Sequence, residues 1–187
     1  MNDSKILFVD LDGTLIKEDL SDLALSHSLK NQPFKTLFYL FVFLFKGKPY
    51  LKEKISKNYK IPFNNLTLNK SAFDFIKEQK NNHRVVYLIS GSHQILVDQM
   101  AKYLNIFFKA FGTRDNFNMV GSNKVRFIKE NLKINDFDYL GNSHQDLPIW
   151  KYTKRAIYTN ATPELIKTIK LKNLENREIP ASFNLTQ

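Results

Sequence analysis

The run Phe8-Val9-Asp10-Leu11-Asp12-Gly13-Thr14 ends an apolar stretch with two carboxylates one residue apart. In extended backbone alternate side chains share a face, so Asp10 and Asp12 would point at one spot. Like charges that close repel, which raises one pKa unless a cation sits between them. A hard cation such as Mg2+ resolves the conflict and would also gather a phosphate. Asp-x-Asp by itself is equally a solvated turn. The full Asp-Leu-Asp-Gly-Thr string, directly after an apolar run, is more specific and favours chemistry.

Three further signals follow in order. Ser90-Gly91-Ser92 offers a hydroxyl and successive amides after Val85–Ile89, as an anion site or as a plain helix cap. Lys124, just after Gly121-Ser122-Asn123, is either a point charge for a phosphoryl oxygen or one solvated lysine among many. Gly141-Asn142-Ser143-His144-Gln145-Asp146 offers oxygens at Asn142 and Asp146 that could complete an oxygen site with Asp10, or forms a turn with an Asp cap. His93 and His144 lack partner histidines at metal-ligand spacing and are expected to be exposed and non-catalytic.

The elements that must position these residues read as alternating strands and helices. Lys5–Val9, Val85–Ile89, Phe137–Leu140 and Ala156–Tyr158 are short apolar runs, expected as buried strands. Between them, helices are expected from a Ser71 cap through Lys80, from a Ser92 cap through Tyr103, and over Asn123–Leu132. The fold class is therefore α/β, a Rossmann-like parallel sheet with helices on both faces, which puts ligands at the carboxyl ends of its strands.

Residues 15–68 break the alternation. Helix-like pieces around Asp19–Leu29, opening at Pro33, and opening at Pro49 after Gly47 make this a small helical cap insertion. The core is then 1–14 with 69–171, and 172–187 is a tail expected to pack loosely.

The chain has 187 residues, enough for one domain and an insertion, and no cysteine, which excludes disulfides and thiolate chemistry. A formal charge of +10 favours anionic partners. The basic residues are scattered and carry no nucleic-acid motif, so no nucleic acid is expected. The N-terminus lacks a secretory pattern, and a cytoplasmic location is expected.

The four signals in this order resemble the haloacid dehalogenase superfamily of phosphohydrolases. Phe45-Lys46-Gly47-Lys48, Asn118 to Lys124, Phe137 to Ser143 and Leu147-Pro148-Ile149-Trp150 are similar, more closely, to the hydrolase domain fused to ubiquinone-pathway-type membrane prenyltransferases. The resemblance implies a phosphatase. Asp10 would be the nucleophile that forms an aspartyl-phosphate, and Asp12 the general acid and base. Mg2+ would be held by Asp10, the Asp12 carbonyl and Asn142, with Asp146 orienting bound waters. Ser90, Gly91 and Lys124 would grip the phosphoryl group. Asn142 stands where the superfamily usually has aspartate, which lowers the expected metal affinity and leaves a binding or regulatory module as the alternative function.

Phe34, Phe38, Phe41 and Phe45 fall on one helical stripe. Over about 18 Å this helix is too short to cross the ~30 Å hydrocarbon core. Either it packs on the core or, with lysines flanking residues 34–45, it meets the inner face of a membrane and admits a lipid-linked phosphate rather than a phosphorylated small molecule.

Overall fold

The computed structural model describes residues 5–172 and 175–185. Strand β1 (Ile6–Val9) forms where the apolar run predicts it, with Leu7, Phe8 and Val9 fully buried. It pairs in parallel with β3 (Val85–His93) and with β5 (Asp138–Gly141). Beyond these lie β4 (Lys109–Thr113) on one side and β6 (Ala156–Tyr158) and β7 (Asn176–Glu178) on the other, giving a parallel six-stranded sheet in the order β4-β3-β1-β5-β6-β7. The three central strands are those whose carboxyl ends carry the predicted motifs, so the topology gathers Asp10, Ser90 and Asn142 at one edge.

Side chains alternate across the sheet as extended backbone requires. Leu7, Val9, Leu88 and Leu140 pack with Ala72 and Ile76 of α3 (Lys70–Asn81) and with Leu96, Val97 and Met100 of α4 (Gln94–Leu104). Phe8, Ile89 and Tyr139 face the other layer. There they meet Val125 of α5 (Ser122–Arg126), Trp150 of α6 (Leu147–Trp150) and Ile169 of α7 (Pro163–Leu171). Burying both faces is why these strands read as continuous apolar runs.

Between β1 and α3 come α1 (Leu20–Asn31) and α2 (Pro33–Ser56). Asp19 caps α1 through the Ser21 and Asp22 amides, and Pro33 opens α2. At Gly47 (φ 76°, ψ −179°) α2 breaks into two segments. That conformation is essentially closed to residues with a Cβ, so the helix turns there and resumes at Pro49. The chain leaves and re-enters the core at adjacent points, because Ile16 bridges Leu68 and the Lys17 amide donates to the Thr67 carbonyl.

Several local expectations are corrected. Asn69, not Ser71, caps α3, because its buried amide also ties the Thr14 carbonyl and the Thr159 hydroxyl. Ser92 caps no helix: β3 continues to His93, whose ring takes the Ile95 amide and which is buried rather than exposed. The predicted helix over Asn123–Leu132 narrows to α5, followed by a π turn over Phe127–Asn131 closed by the Leu132 amide on the Phe127 carbonyl. The tail contributes β7 and a strand β8 (Phe183–Leu185) that pairs antiparallel with β2 (Thr67–Asn69), and it buries Ile179. Residues 173, 174, 186 and 187 of that tail, and 1–4 of the core, lie outside the described residues.

Candidate active site

A cavity of about 460 Å³ opens between the carboxyl edge of the sheet and helices α1 and α2. Its floor holds Asp10, Asp12, Lys124, Asn142 and Asp146, and its roof is built by Leu25, Phe43, Leu51, Lys48 and Lys52.

Asp10 extends the face of β1 that carries Phe8, toward α5. Its Oδ1 accepts from Lys124 Nζ at 2.6 Å and its Oδ2 from the Thr14 hydroxyl at 3.0 Å. Lys124 Nζ also donates to the Tyr139 hydroxyl (2.8 Å), which donates to Asp146 Oδ1 (2.7 Å). Asp146 Oδ2 accepts from the Asn142 and Ser143 amides, both at 3.0 Å. One buried chain therefore runs from the candidate nucleophile through two side chains to the loop that ends β5. Desolvation, aided by the Asp146 and Asp12 carboxylates, pushes Asp10 up to about 7 against the pull of Lys124. Burial alone would lower Lys124, but the Asp10 and Asp146 carboxylates outweigh it and hold its pKa above the usual lysine value. Burial raises Tyr139 far above the ordinary phenol, so it remains a donor.

Asp12 turns to the other wall. Its Oδ1 accepts the Leu20 amide at the start of α1 (2.9 Å), and its Oδ2 meets the Ser90 (2.7 Å) and Ser92 (2.9 Å) hydroxyls. Desolvation first, then the Asp19 charge, raises its pKa, which suits a group that must carry a proton before releasing it. Ser90, expected at the phosphoryl group, is instead fully buried behind Asp12, and Ser92 reaches the cavity in its place. Gly91 lines the cavity, where a Cβ would stand 2.9 Å from Val120 Cγ2. Gly13 (φ 76°) is required sterically, since a Cβ there would sit 2.3 Å from Asn142 Nδ2.

The oxygen donors fit a hard cation in part. The single Thr14 proton faces two acceptors, Asp10 Oδ2 at 3.0 Å and Asn142 Oδ1 at 3.1 Å. One of these oxygens is therefore short of a donor in a carboxylate-rich pocket, as a bound divalent ion would require. Asp146 already accepts from four groups, counting the Ser143 hydroxyl, so its visible task is to shape the loop. Among the described residues no cluster of three or more His, Asp or Glu side chains is arranged around a metal position. The candidate set is thus the Asp10 carboxylate, the Asp12 carbonyl and the Asn142 amide oxygen, with Asp146 behind them.

Three functional contributors escape sequence reasoning: Tyr139, Thr14 and Lys52. Tyr139 looks like an ordinary strand aromatic, and only its hydroxyl contacts reveal it. Thr14 lies within the motif, and its distance to Asn142 requires the folded chain. Lys52 reaches from α2 to the Gly91 carbonyl (2.6 Å) and Asn118 Oδ1 (3.0 Å), joining roof to floor.

A family profile described as haloacid dehalogenase-like hydrolase matches residues 7–151. An uncharacterized protein of Sinorhizobium fredii, y4nM, is 30% identical over 151 residues, which is 81% of this chain and 29% of that protein. A Bordetella pertussis protein of unknown function superposes with TM-score 0.67 at 13% identity, covering 95% of this chain and 100% of that one. A substrate-bound phosphoserine phosphatase superposes with TM-score 0.57 at 19% identity, covering 94% and 100%. With the motifs on adjacent strands and the profile spanning most of its length, the chain belongs to the haloacid dehalogenase-like hydrolase family.

Proposed function

We propose that the chain is a Mg2+-dependent phosphatase acting on a phosphate monoester through an aspartyl-phosphate on Asp10. The observation that carries this reading is the buried Asp10–Lys124–Tyr139–Asp146 chain at the carboxyl end of the central strand, with Asp12 two residues on. Asp10 Oδ2 and Asn142 Oδ1, with the Asp12 carbonyl, would hold the ion, and Asp146 would orient its waters. When bound, the ion supplies charge neutralisation to the phosphoryl oxygens. Lys124 and the Gly91 segment would bind the same oxygens. An Asp10 carboxylate oxygen forms a bond to phosphorus as the bond from phosphorus to the ester oxygen breaks, and Asp12 passes its proton to that oxygen. Asp12, now ionised, takes a proton from water. The water oxygen then bonds to phosphorus, the Asp10–phosphorus bond breaks, and inorganic phosphate leaves. Ser90 and Ser92 keep Asp12 aimed during both transfers.

Residues 15–68 would act as the cap. Leu25, Phe43, Leu51 and Ile55 give the cavity an apolar wall that suits an intermediate with an apolar body, such as one from a lipid pathway. The same reading includes kinship with the prenyltransferase-fused hydrolase domains and a cytoplasmic place at the membrane's inner face. Asn142 favours the second reading, a binding or regulatory module, because its amide brings no charge to the ion. Hydrolysis of p-nitrophenyl phosphate with and without Mg2+ separates the two. Turnover that needs Mg2+ and vanishes in Asp10→Asn supports the enzyme. No turnover across a broad panel of phosphate monoesters, polyprenyl phosphates included, supports the module.

A further inference from the structure

The first segment of α2, residues 33–46, shows two unlike faces. Phe34, Leu37, Phe38, Phe41, Leu44 and Phe45 are each between 58% and 86% exposed. At 3.6 residues per turn they fall on one stripe, with Phe43 and Thr36 on roughly the opposite side. Phe43 lines the cavity, and Thr36, fully buried, bonds to Ser28 of α1 at 2.7 Å. The inner face therefore already has its partner, and the packed-cap expectation accounts for that face alone. Such a continuous apolar stripe on the outer face marks an interaction surface.

The charge around the stripe indicates its occupant. Residues 23–52 contain no aspartate or glutamate and five lysines, of which Lys48 and Lys52 line the cavity and Lys30, Lys35 and Lys46 lie outside it. Lys35 and Lys46 border the stripe along the helix, and Lys46 and Lys48 stand on either side of the Gly47 break. Large apolar rings bordered by ammonium groups match a surface that is apolar beneath and anionic on top. Among the described residues no helix is long and apolar enough to cross a membrane, so the match is to lying on the surface.

We propose that the outer face of residues 33–46 docks on an anionic phospholipid bilayer, holding the cavity on the helix's other side within about one helix diameter, ~10 Å, of the headgroups. A phosphate ester carried by a lipid would then reach Asp10 without leaving the membrane surface. That substrate class rests on the phosphatase reading, whereas the docking does not.

Flotation of the full chain with vesicles tests the docking without turnover. Wild type should float with phosphatidylcholine–phosphatidylglycerol vesicles and much less with phosphatidylcholine alone, and it should be released as salt rises from about 0.05 to about 0.5 M. The Phe38→Ser/Phe41→Ser variant should lower the partition coefficient by about tenfold per ring removed. The Lys35→Glu/Lys46→Glu variant, which spares the apolar stripe and covers the case in which the first variant does not fold, should lose binding to anionic vesicles selectively. Both variants should keep wild-type turnover of soluble p-nitrophenyl phosphate while losing most turnover of phosphatidic acid in vesicles. Flotation without hydrolysis of either substrate supports docking and removes the phosphatase reading. Wild type left unbound at low salt overturns the proposal. So does a wild-type dimer that the phenylalanine variant dissociates without any vesicle binding, since the face would then be a self-interface.

Discussion

The floor and the roof of the cavity are built on opposite principles. On the floor, Asp10, Lys124, Tyr139 and Asp146 are buried, and each makes polar contacts to at least two other groups, so charge is held in place before any ligand arrives. The roof mixes apolar Leu25, Phe43, Leu51 and Ile55 with Ser21, Asp22, Lys48 and Lys52, most of them partly or fully exposed, and Ser21 and Lys52 bond across to the floor. A preorganised polar floor governs the chemical step. A loosely held, part-apolar roof governs which molecules enter and how long they stay.

Substitutions on the floor should therefore lower kcat, and those on the roof should move KM. The largest expected effect is Asp10→Asn, which should reduce kcat on p-nitrophenyl phosphate by a factor on the order of 10⁴ or more. The same substitution should reshape stability. Folded Asp10 keeps its proton to about pH 7, while the unfolded chain releases it near 3.8. Between these values the folded state binds more protons, so wild-type stability should fall as pH rises from about 4 to about 7 and level off above, by at most about 4 kcal/mol. Denaturant unfolding across that range with chelator present should show the decline in wild type and a shallower one in Asp10→Asn, where the raised Asp12 still contributes.

Tyr139→Phe keeps the buried ring and removes only the hydroxyl between Lys124 and Asp146. It should weaken activity or Mg2+ affinity by about 10–100-fold, as for partners that orient metal ligands, and Mg2+ titration of turnover reads both. Asn142→Asp restores a charge to the candidate ion site and should tighten Mg2+ by about tenfold, seen as a larger rise in Tm on adding Mg2+. Lys52→Met should have the smallest effect. The single Thr113 hydroxyl proton still serves the Gly91 carbonyl (2.7 Å), leaving only Asn118 Oδ1 short of a donor, so stability should change by about 1 kcal/mol. KM should rise a few-fold, with kcat unchanged. A large kcat loss in this variant would show that roof and floor act as one unit.

The same division separates what was legible in the sequence. Each central strand announces itself because burial on both faces leaves an unbroken apolar run, and every candidate site residue except Lys124, which lies in α5, follows such a run within a few positions. The segmentation of α1 and α2 was equally legible, since Asp19, Pro33, Gly47 and Pro49 act through local backbone geometry. Edge strands were not. Lys109–Thr113 and Asn176–Glu178 include polar residues that an edge position tolerates, and their pairing partners lie far away in sequence. The Ser92 cap is absent for a related reason: Asp12 claims its hydroxyl, and nothing local signals a partner 80 residues away.

By itself the sequence determined which residues stand at the carboxyl ends of the inner strands and that a segmented helical stretch interrupts the strand–helix alternation, because both follow from short-range periodicity and turn chemistry. Tertiary structure alone decided that Ser90 supports Asp12 rather than facing the cavity, that the Tyr139 hydroxyl links Lys124 to Asp146, and that the phenylalanine stripe points outward. Those outcomes depend on which distant groups compete for one hydroxyl or one apolar surface, and that competition begins only when the chain is folded.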